Sequence, residues 1–211
     1  MIQNPRILLM HITKTSGHHR ATLAIESALK IISPNAEILN IDGLGYFYPI
    51  LEKIINGIYM SIIKRRPQIW EYLYDNPKVI QKTGQIKKIL NHARHPKLAK
   101  LFQKFNPTVV ICSQAFPCGV VGDFKKQYNY PVKLIGVLTD FAPHHYWVND
   151  AVDFYIVPTK EAADRLVKEG IPRERIKIYG IPVEPKFACP VDKEKVAKAL
   201  NLRLDIPTIL I

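Results

Sequence analysis

Short, solid apolar runs recur along the chain and alternate with stretches of helical spacing. Ile7-Leu8-Leu9-Met10 is the clearest, and similar β-branched runs predict strands at 6–12, 36–41, 108–113, 133–139, 153–158 and 176–180. A run with no polar residue on either face suits a strand covered by helices on both sides, as in parallel sheets. The rhythm of strands and helices predicts βαβ units. The expected fold is therefore α/β, a doubly wound Rossmann-like parallel sheet with helices on both faces.

The first helix is predicted from Ser16 or Gly17 to Ile32, because Ala21, Ala24, Ile25, Ala28, Leu29 and Ile32 recur at helical spacing and Pro34 ends it. From 49 to 64 apolar residues come in pairs every four positions, from Ile50-Leu51 to Ile62-Ile63, with Glu52, Lys53, Asn56 and Ser61 opposite. That spacing predicts a helix with a wide apolar stripe. A basic helical stretch follows at 79–105, with Pro96 as its breaking point. Further helices are expected at 160–169 and 192–201, separated by the turn-rich Gly180-Ile181-Pro182-Val183-Glu184-Pro185. The run 206–211 reads as the first strand of a further domain, which gives an expected division into 1–185 and 186–211.

At 211 residues with 47% apolar and 23% charged side chains, the chain can bury a full core, which excludes a disordered or collagen-like class. Three cysteines without a C-x-x-C pair offer neither a disulfide framework nor a zinc or thiol-redox motif, so a reducing cytoplasm is expected. Residues 1–6 lack the features of a secretory leader. Asn106, Pro107, Ser113, Gln114 and Pro117 interrupt the longest charge-free stretch, so no transmembrane helix is expected.

Charge changes the picture more than composition does. Of a formal net charge of +12, the segment from Phe47 to Phe105 carries twelve basic residues against three acidic ones. Such a block implies an anionic partner. Tyr46, Phe47, Lys64, Arg65, Arg66 and Trp70 flank the striped helix as aromatic and basic belts, the pattern of a helix lying in the headgroups of an anionic membrane. The same stripe also suits an ordinary amphipathic helix packed on the sheet. No helix-turn-helix, zinc or RNA-binding pattern accompanies the block, so no nucleic-acid partner is expected.

Two loops carry candidate chemistry. Thr13-Lys14-Thr15-Ser16-Gly17-His18-His19-Arg20 joins the first strand to the first helix, at the sheet edge where open α/β folds place ligands. Gly17 would let the backbone approach a ligand, and free N–H groups at the helix start favour anionic oxygens. The positive helix end would keep His19 neutral and able to act as a base, while the plainer reading has both histidines packing in the loop. Asp42 beyond the second strand mimics the acidic residue of a dinucleotide fingerprint, but two of its three glycines are missing and His18-His19-Arg20 would crowd a pyrophosphate. The second loop, Thr139-Asp140-Phe141-Ala142-Pro143-His144-His145-Tyr146-Trp147, falls on the same edge and could hold a polar head group beside an acyl or sugar face. The four loop histidines lack metal-ligand spacing, so neither a metal nor a cofactor is expected.

Taken in order, the loop Ser16-Gly17-His18-His19-Arg20-Ala21-Thr22, the segment Thr139-Asp140-Phe141 with His144 and Trp147, the run from Asp153 to Thr159 and the closing Gly180-Ile181-Pro182-Val183 resemble a known family. The chain is similar to the amino-terminal domain of monogalactosyldiacylglycerol synthases and the related processive diacylglycerol glucosyltransferases. The resemblance implies the acceptor half of a two-domain GT-B glycosyltransferase, which moves a hexose from a UDP-sugar to diacylglycerol with inversion. It implies His19 as the base and Ser16, Gly17, His18, Phe116, Pro117, Asp140, His144 and Trp147 as acceptor-binding residues. It also implies a peripheral place on the inner face of the cell membrane, with the UDP-sugar held by a further domain and this chain inactive alone. Two departures stand against the resemblance: the family carries Gly where His18 stands, and Ser113-Gln114-Ala115-Phe116-Pro117 replaces its Thr-His before Phe-Pro. The other reading is a non-catalytic module that binds anionic membrane or glycolipid.

Overall fold

Successive residues of the first apolar run point to opposite faces of a sheet, and both faces are covered there: Leu8, Leu9 and Met10 are each 0% exposed. The computed structural model describes residues 4–13, 16–49 and 96–209. Six parallel strands, β1 (Arg6–His11), β2 (Glu37–Asp42), β3 (Val109–Cys112), β4 (Lys133–Val137), β5 (Phe154–Val157) and β6 (Ile176–Ile178), form one sheet in the order β2-β1-β3-β4-β5-β6. All six fall within or one residue beside the runs predicted for them. The register pairs Leu8 with Leu39 and with Val110, so the central apolar residues stack across neighbours. This is a Rossmann-like α/β fold.

The helices are α1 (Gly17–Ile32), α2 (Gly43–Phe47), α3 (Pro96–Phe105), α4 (Ala115–Tyr128), α5 (Lys160–Lys168) and α6 (Lys193–Ala199). α1 packs on β1 and β2 and buries Ala21, Thr22 and Ala24. Leu8, Met10, Val110 and Leu134 from the strands share one core with Leu98 and Phe102 of α3, Val120, Val121 and Phe124 of α4, and Leu166 of α5. Each such side chain removed from water contributes about 1.5–3 kcal/mol. No bounds are predicted for α4, which holds Pro117, Gly119 and Gly122. Pro117 sits in its first turn, where the missing N–H would have had no helical partner. Asn129 in the left-handed conformation, with φ 45°, closes the helix.

The loop after β4 returns through a 3-10 turn at His145–Trp147 and is held by Tyr155 of β5. The Tyr155 hydroxyl donates to the Trp147 carbonyl at 2.7 Å and accepts from the Asn149 N–H at 3.1 Å. Burial pushes that phenol well above its usual range. A Cβ on Gly136 would lie 3.1 Å from the Tyr155 ring and 3.2 Å from the Trp147 ring, so glycine is what lets both aromatics reach the strand. Cys112 and Cys118 are buried together, which pushes the Cys112 thiol up through burial and then through its neighbour, while Cys189 is exposed.

One predicted strand does not form among the described residues, and two predicted helices fall partly or almost wholly outside them. Residues 206–209 form no strand and Ile209 is 81% exposed, because no strand among the described residues offers them a partner. The helix predicted at 79–105 is described only from Pro96, and the striped helix at 49–64 lies outside the described residues apart from Pro49. Among the described residues no helix is long and apolar enough to cross a membrane.

Asp153 ties the start of β5 to α4 and β4. Burial alone would raise its pKa, but the Leu134 N–H at 2.7 Å and the Lys125 and Lys133 ammonium groups outweigh that and hold it below its ordinary 3.8. A carboxylate depressed in the folded state contributes stability above its unfolded pKa and loses it as pH falls through the folded one. Asp153→Asn is therefore expected to lower the urea midpoint at pH 7 and to flatten the loss of stability below pH 3.8, as read by urea titrations across that range.

Candidate active site

The strand order reverses between β1 and β3: from β1 the chain moves outward to β2 and then returns past β1 to β3. Such a switch opens a crevice at the carboxyl ends of the two strands. Residues 12–13 and 16–19, 113–116 and 138–147 follow β1, β3 and β4 and meet at that edge.

The described residues of the first loop are held by hydrogen bonds on both sides. Thr13 takes a left-handed φ of 59°, costly for a β-branched residue. Its N–H donates to Asp42 Oδ2 at 3.1 Å, and Asp42 Oδ1 accepts from Gly45 N at 2.9 Å, which caps α2. Asp42 thus clamps the loop, a use for this residue that owes nothing to a nucleotide. Ser16 caps α1, its hydroxyl donating to the Ile12 or Thr13 carbonyl at 2.7 Å while its oxygen accepts from His19 N at 3.3 Å. Gly17 is exposed, and a Cβ there would meet nothing within 4 Å.

His18 and His19 turn to different sides of the helix start. His18 Nδ1 lies 2.9 Å from the Ser113 carbonyl and 2.9 Å from Thr139 Oγ1, bridging the ends of β3 and β4. Ser113 Oγ in turn donates to the His18 carbonyl at 2.9 Å. A carbonyl only accepts, so Nδ1 carries the proton and Nε2 keeps the basic lone pair. His19 turns toward β1, where its ring stacks on His11 at 4.2 Å with 22° between the planes.

The other expected site residues are distributed as follows. Asp140 is exposed in the loop after β4. His144 is half-buried in the same loop, its ring 4.2 Å from His145 and 4.3 Å from Tyr146. Phe116 is half-buried near Tyr48, and Pro117 is buried in the first turn of α4. Trp147 is 3% exposed and belongs to the core, so it shapes the loop from below and presents no face to the crevice. Tyr46 is partly exposed, whereas Phe47 is 6% exposed and packed in the core, so it is closed to a bilayer. Lys64, Arg65, Arg66 and Trp70 lie outside the described residues. Ser113 and Thr139, which hold His18, were not singled out from sequence as site residues. Nor was His11, a polar residue ending an otherwise apolar strand. Among the described residues no cluster of three metal-ligating side chains occurs.

A concavity of about 530 Å³ opens at the opposite edge between Lys125, Lys126, Lys133, Asp150, Asp153 and Arg175. Its charges already pair, Lys125 with Asp153 and Lys126 with Asp150, and it lies away from both histidine loops.

The family-model match and the curated relatives agree with each other. The family model for monogalactosyldiacylglycerol (MGDG) synthase matches residues 18–183. A processive diacylglycerol beta-glucosyltransferase of Staphylococcus epidermidis is 28% identical over 210 residues, covering 99% of this chain and 52% of the relative. One of Bacillus cytotoxicus is 26% identical over 211 residues, covering 100% of this chain and 53% of the relative. The chain thus spans about half the length of the curated relatives it matches. Among solved structures, a glycosyltransferase from Rickettsia africae matches with a TM-score of 0.47 and 13% identity, covering 97% of this chain and 52% of that one.

Proposed function

Since this chain belongs to the monogalactosyldiacylglycerol synthase family, we propose that it supplies the acceptor-binding half of an inverting glycosyltransferase that moves a hexose from a UDP-sugar to diacylglycerol. The observation that carries the reading is His18, bridged by Ser113 O and Thr139 Oγ1 at the strand-order switch, with Nε2 left to receive a proton. We assign the base role to His18 rather than to His19, whose ring is spent on a stack with His11.

In the proposed step the diacylglycerol hydroxyl gives its proton to His18 Nε2 as its oxygen attacks the anomeric carbon. The bond from that carbon to the UDP oxygen breaks on the opposite face, and UDP leaves with the electron pair. His18 then returns the proton to solvent. Nδ1, held by the Ser113 carbonyl, favours the imidazolium as it forms and keeps the ring from turning. Ser16, Gly17, Phe116, Asp140 and His144 surround the acceptor in this scheme, and the donor is held by the remaining half of the length that the relatives have. Residues 186–211 serve as the connection between the halves.

The basic block at 47–105 fits docking on the anionic inner face of the cell membrane, which brings the crevice to its lipid. Photoactivatable diacylglycerol, presented to the full-length protein in phosphatidylglycerol vesicles, tests the acceptor assignment. Cross-links are expected on peptides containing 16–20, 113–117 or 139–147. Cross-links confined to 47–105 would instead support a module that binds membrane without taking lipid into the crevice.

A further inference from the structure

His11 ends a strand whose four preceding residues are all apolar, yet it is polar and 3% exposed. A buried imidazole is costly unless its polar atoms are bonded. Its Nδ1 is bonded in sequence by side chains from two other elements. His11 Nδ1 lies 3.1 Å from Asn40 Oδ1 of β2, and Asn40 Nδ2 donates to Glu26 Oε2 of α1 at 2.9 Å. Burial alone would raise the Glu26 pKa, but Lys30 and Asn40 outweigh it, so Glu26 stays ionised and only accepts. That fixes Asn40 with its amide nitrogen toward Glu26 and its oxygen toward His11, and hence fixes the His11 proton on Nδ1. Thr22 braces the same ring, its oxygen 3.4 Å from His11 Nδ1 while its hydroxyl donates to the His19 carbonyl at 2.9 Å.

The plane of His11 is therefore set by β2 and α1, and on that plane lies the ring of His19. His19 and His18 are neighbours in the first turn of α1, so a torque on one is felt by the other. We propose that His11 is a positioning residue: through its stack with His19 it fixes the rotation of the first turn of α1 and so aims His18 at Ser113 and Thr139. The first turn is then gripped from two sides, by His11 on the β1 flank and by the Ser113 carbonyl on the β3 flank. The proposal rests on the assignment of His18 as base only for its consequence in catalysis.

Nitrogen-15 NMR of the histidine rings in the full-length protein tests it without reference to sugar transfer. The wild type is expected to show His18 as a single Nδ1–H tautomer with a slowly exchanging ring proton. His11→Ala should give mixed tautomers and fast exchange at His18, whereas His11→Phe, which keeps the stack, should retain the wild-type signature. Asn40→Ala, which keeps the ring but frees it to turn, is expected to fall between them and stands in for His11→Ala should that variant not fold. In turnover, His11→Ala should lose about tenfold or more in kcat with KM little changed, because misplacing a catalytic group costs rate before binding. A wild-type His18 signature in His11→Ala, or a His11→Phe indistinguishable from His11→Ala, would overturn the proposal. Absence of transfer in the wild type would overturn the enzymatic reading and leave the NMR comparison standing.

Discussion

Replacing His18 by alanine in the full-length protein is expected to lower kcat for hexose transfer by about 10²–10⁴-fold, the usual contribution of a positioned proton acceptor, with KM for diacylglycerol far less affected. The expectation follows from the tautomer. With Nδ1 committed to the Ser113 carbonyl at 2.9 Å, the lone pair at Nε2 is the basic atom of this side chain. His18→Gln can keep a donor for Ser113 but has no basic nitrogen, so it should be as slow as alanine while unfolding at nearly the wild-type temperature. His19→Ala removes the same stack as His11→Ala and should cost about tenfold or more, but less than His18→Ala, since its ring acts by positioning His18. Steady-state kinetics of the three variants under one lipid composition give the order. If His19→Ala were the slower variant and His18→Ala near wild type, the base role would return to His19.

The largest effect on stability is expected at Trp147. Truncating a buried Trp to alanine typically costs 3–5 kcal/mol, from lost burial and the cavity left behind. At this position the side chain is 3% exposed and packs beside Gly136. Trp147→Ala should therefore lower the unfolding midpoint in urea by a large part of the total stability, and it should do so with or without lipid present. Trp147→Phe refills part of the volume and should recover a good share of the loss. A Trp147→Ala variant as stable as wild type but unable to bind diacylglycerol would mean that this ring faces the acceptor.

How much of this was legible in the sequence varied with the kind of signal. The strands were, because runs such as Ile7 to Met10 can be satisfied only by burial on two faces, and that requirement is local. α1 was also legible, since Ser16 caps it and its apolar period is clean. α4 was not. Eight of its residues are buried, including Ala115, Pro117, Gly119 and Gly122, so it is apolar on most sides and shows no amphipathic period. Gly122 is needed because a Cβ would meet Asn149 at 2.7 Å, a contact between elements far apart in sequence.

The site showed the same division. The loop after β1 stands out in the sequence from its place after an apolar strand, with His19 as the expected base; the proposal of His18 instead rests on its bridge to Ser113 and Thr139, which the sequence does not show. Adjacent helical residues point about 100° apart, and only the strand order shows which flank faces the crevice. Thr139 stood in a segment already marked, yet its role needs β4 to lie beside β3. His11, Asn40 and Glu26 come together only through the pairing of β1 with β2, which puts Leu9 opposite Asn40 and His11 opposite Asp42. A lone histidine closing a buried strand was the one trace of that cluster in the sequence.

Transfer itself is the most direct test of the account. Full-length protein would be incubated with radiolabelled UDP-glucose, UDP-galactose or UDP-glucuronate and with diacylglycerol in phosphatidylglycerol liposomes, and the lipid extract resolved for glycolipid. The account predicts a labelled glycosyl-diacylglycerol of inverted, β configuration with one of these donors, and its loss in His18→Ala. Liposome binding with no labelled lipid from any donor would contradict it and leave a membrane-binding module.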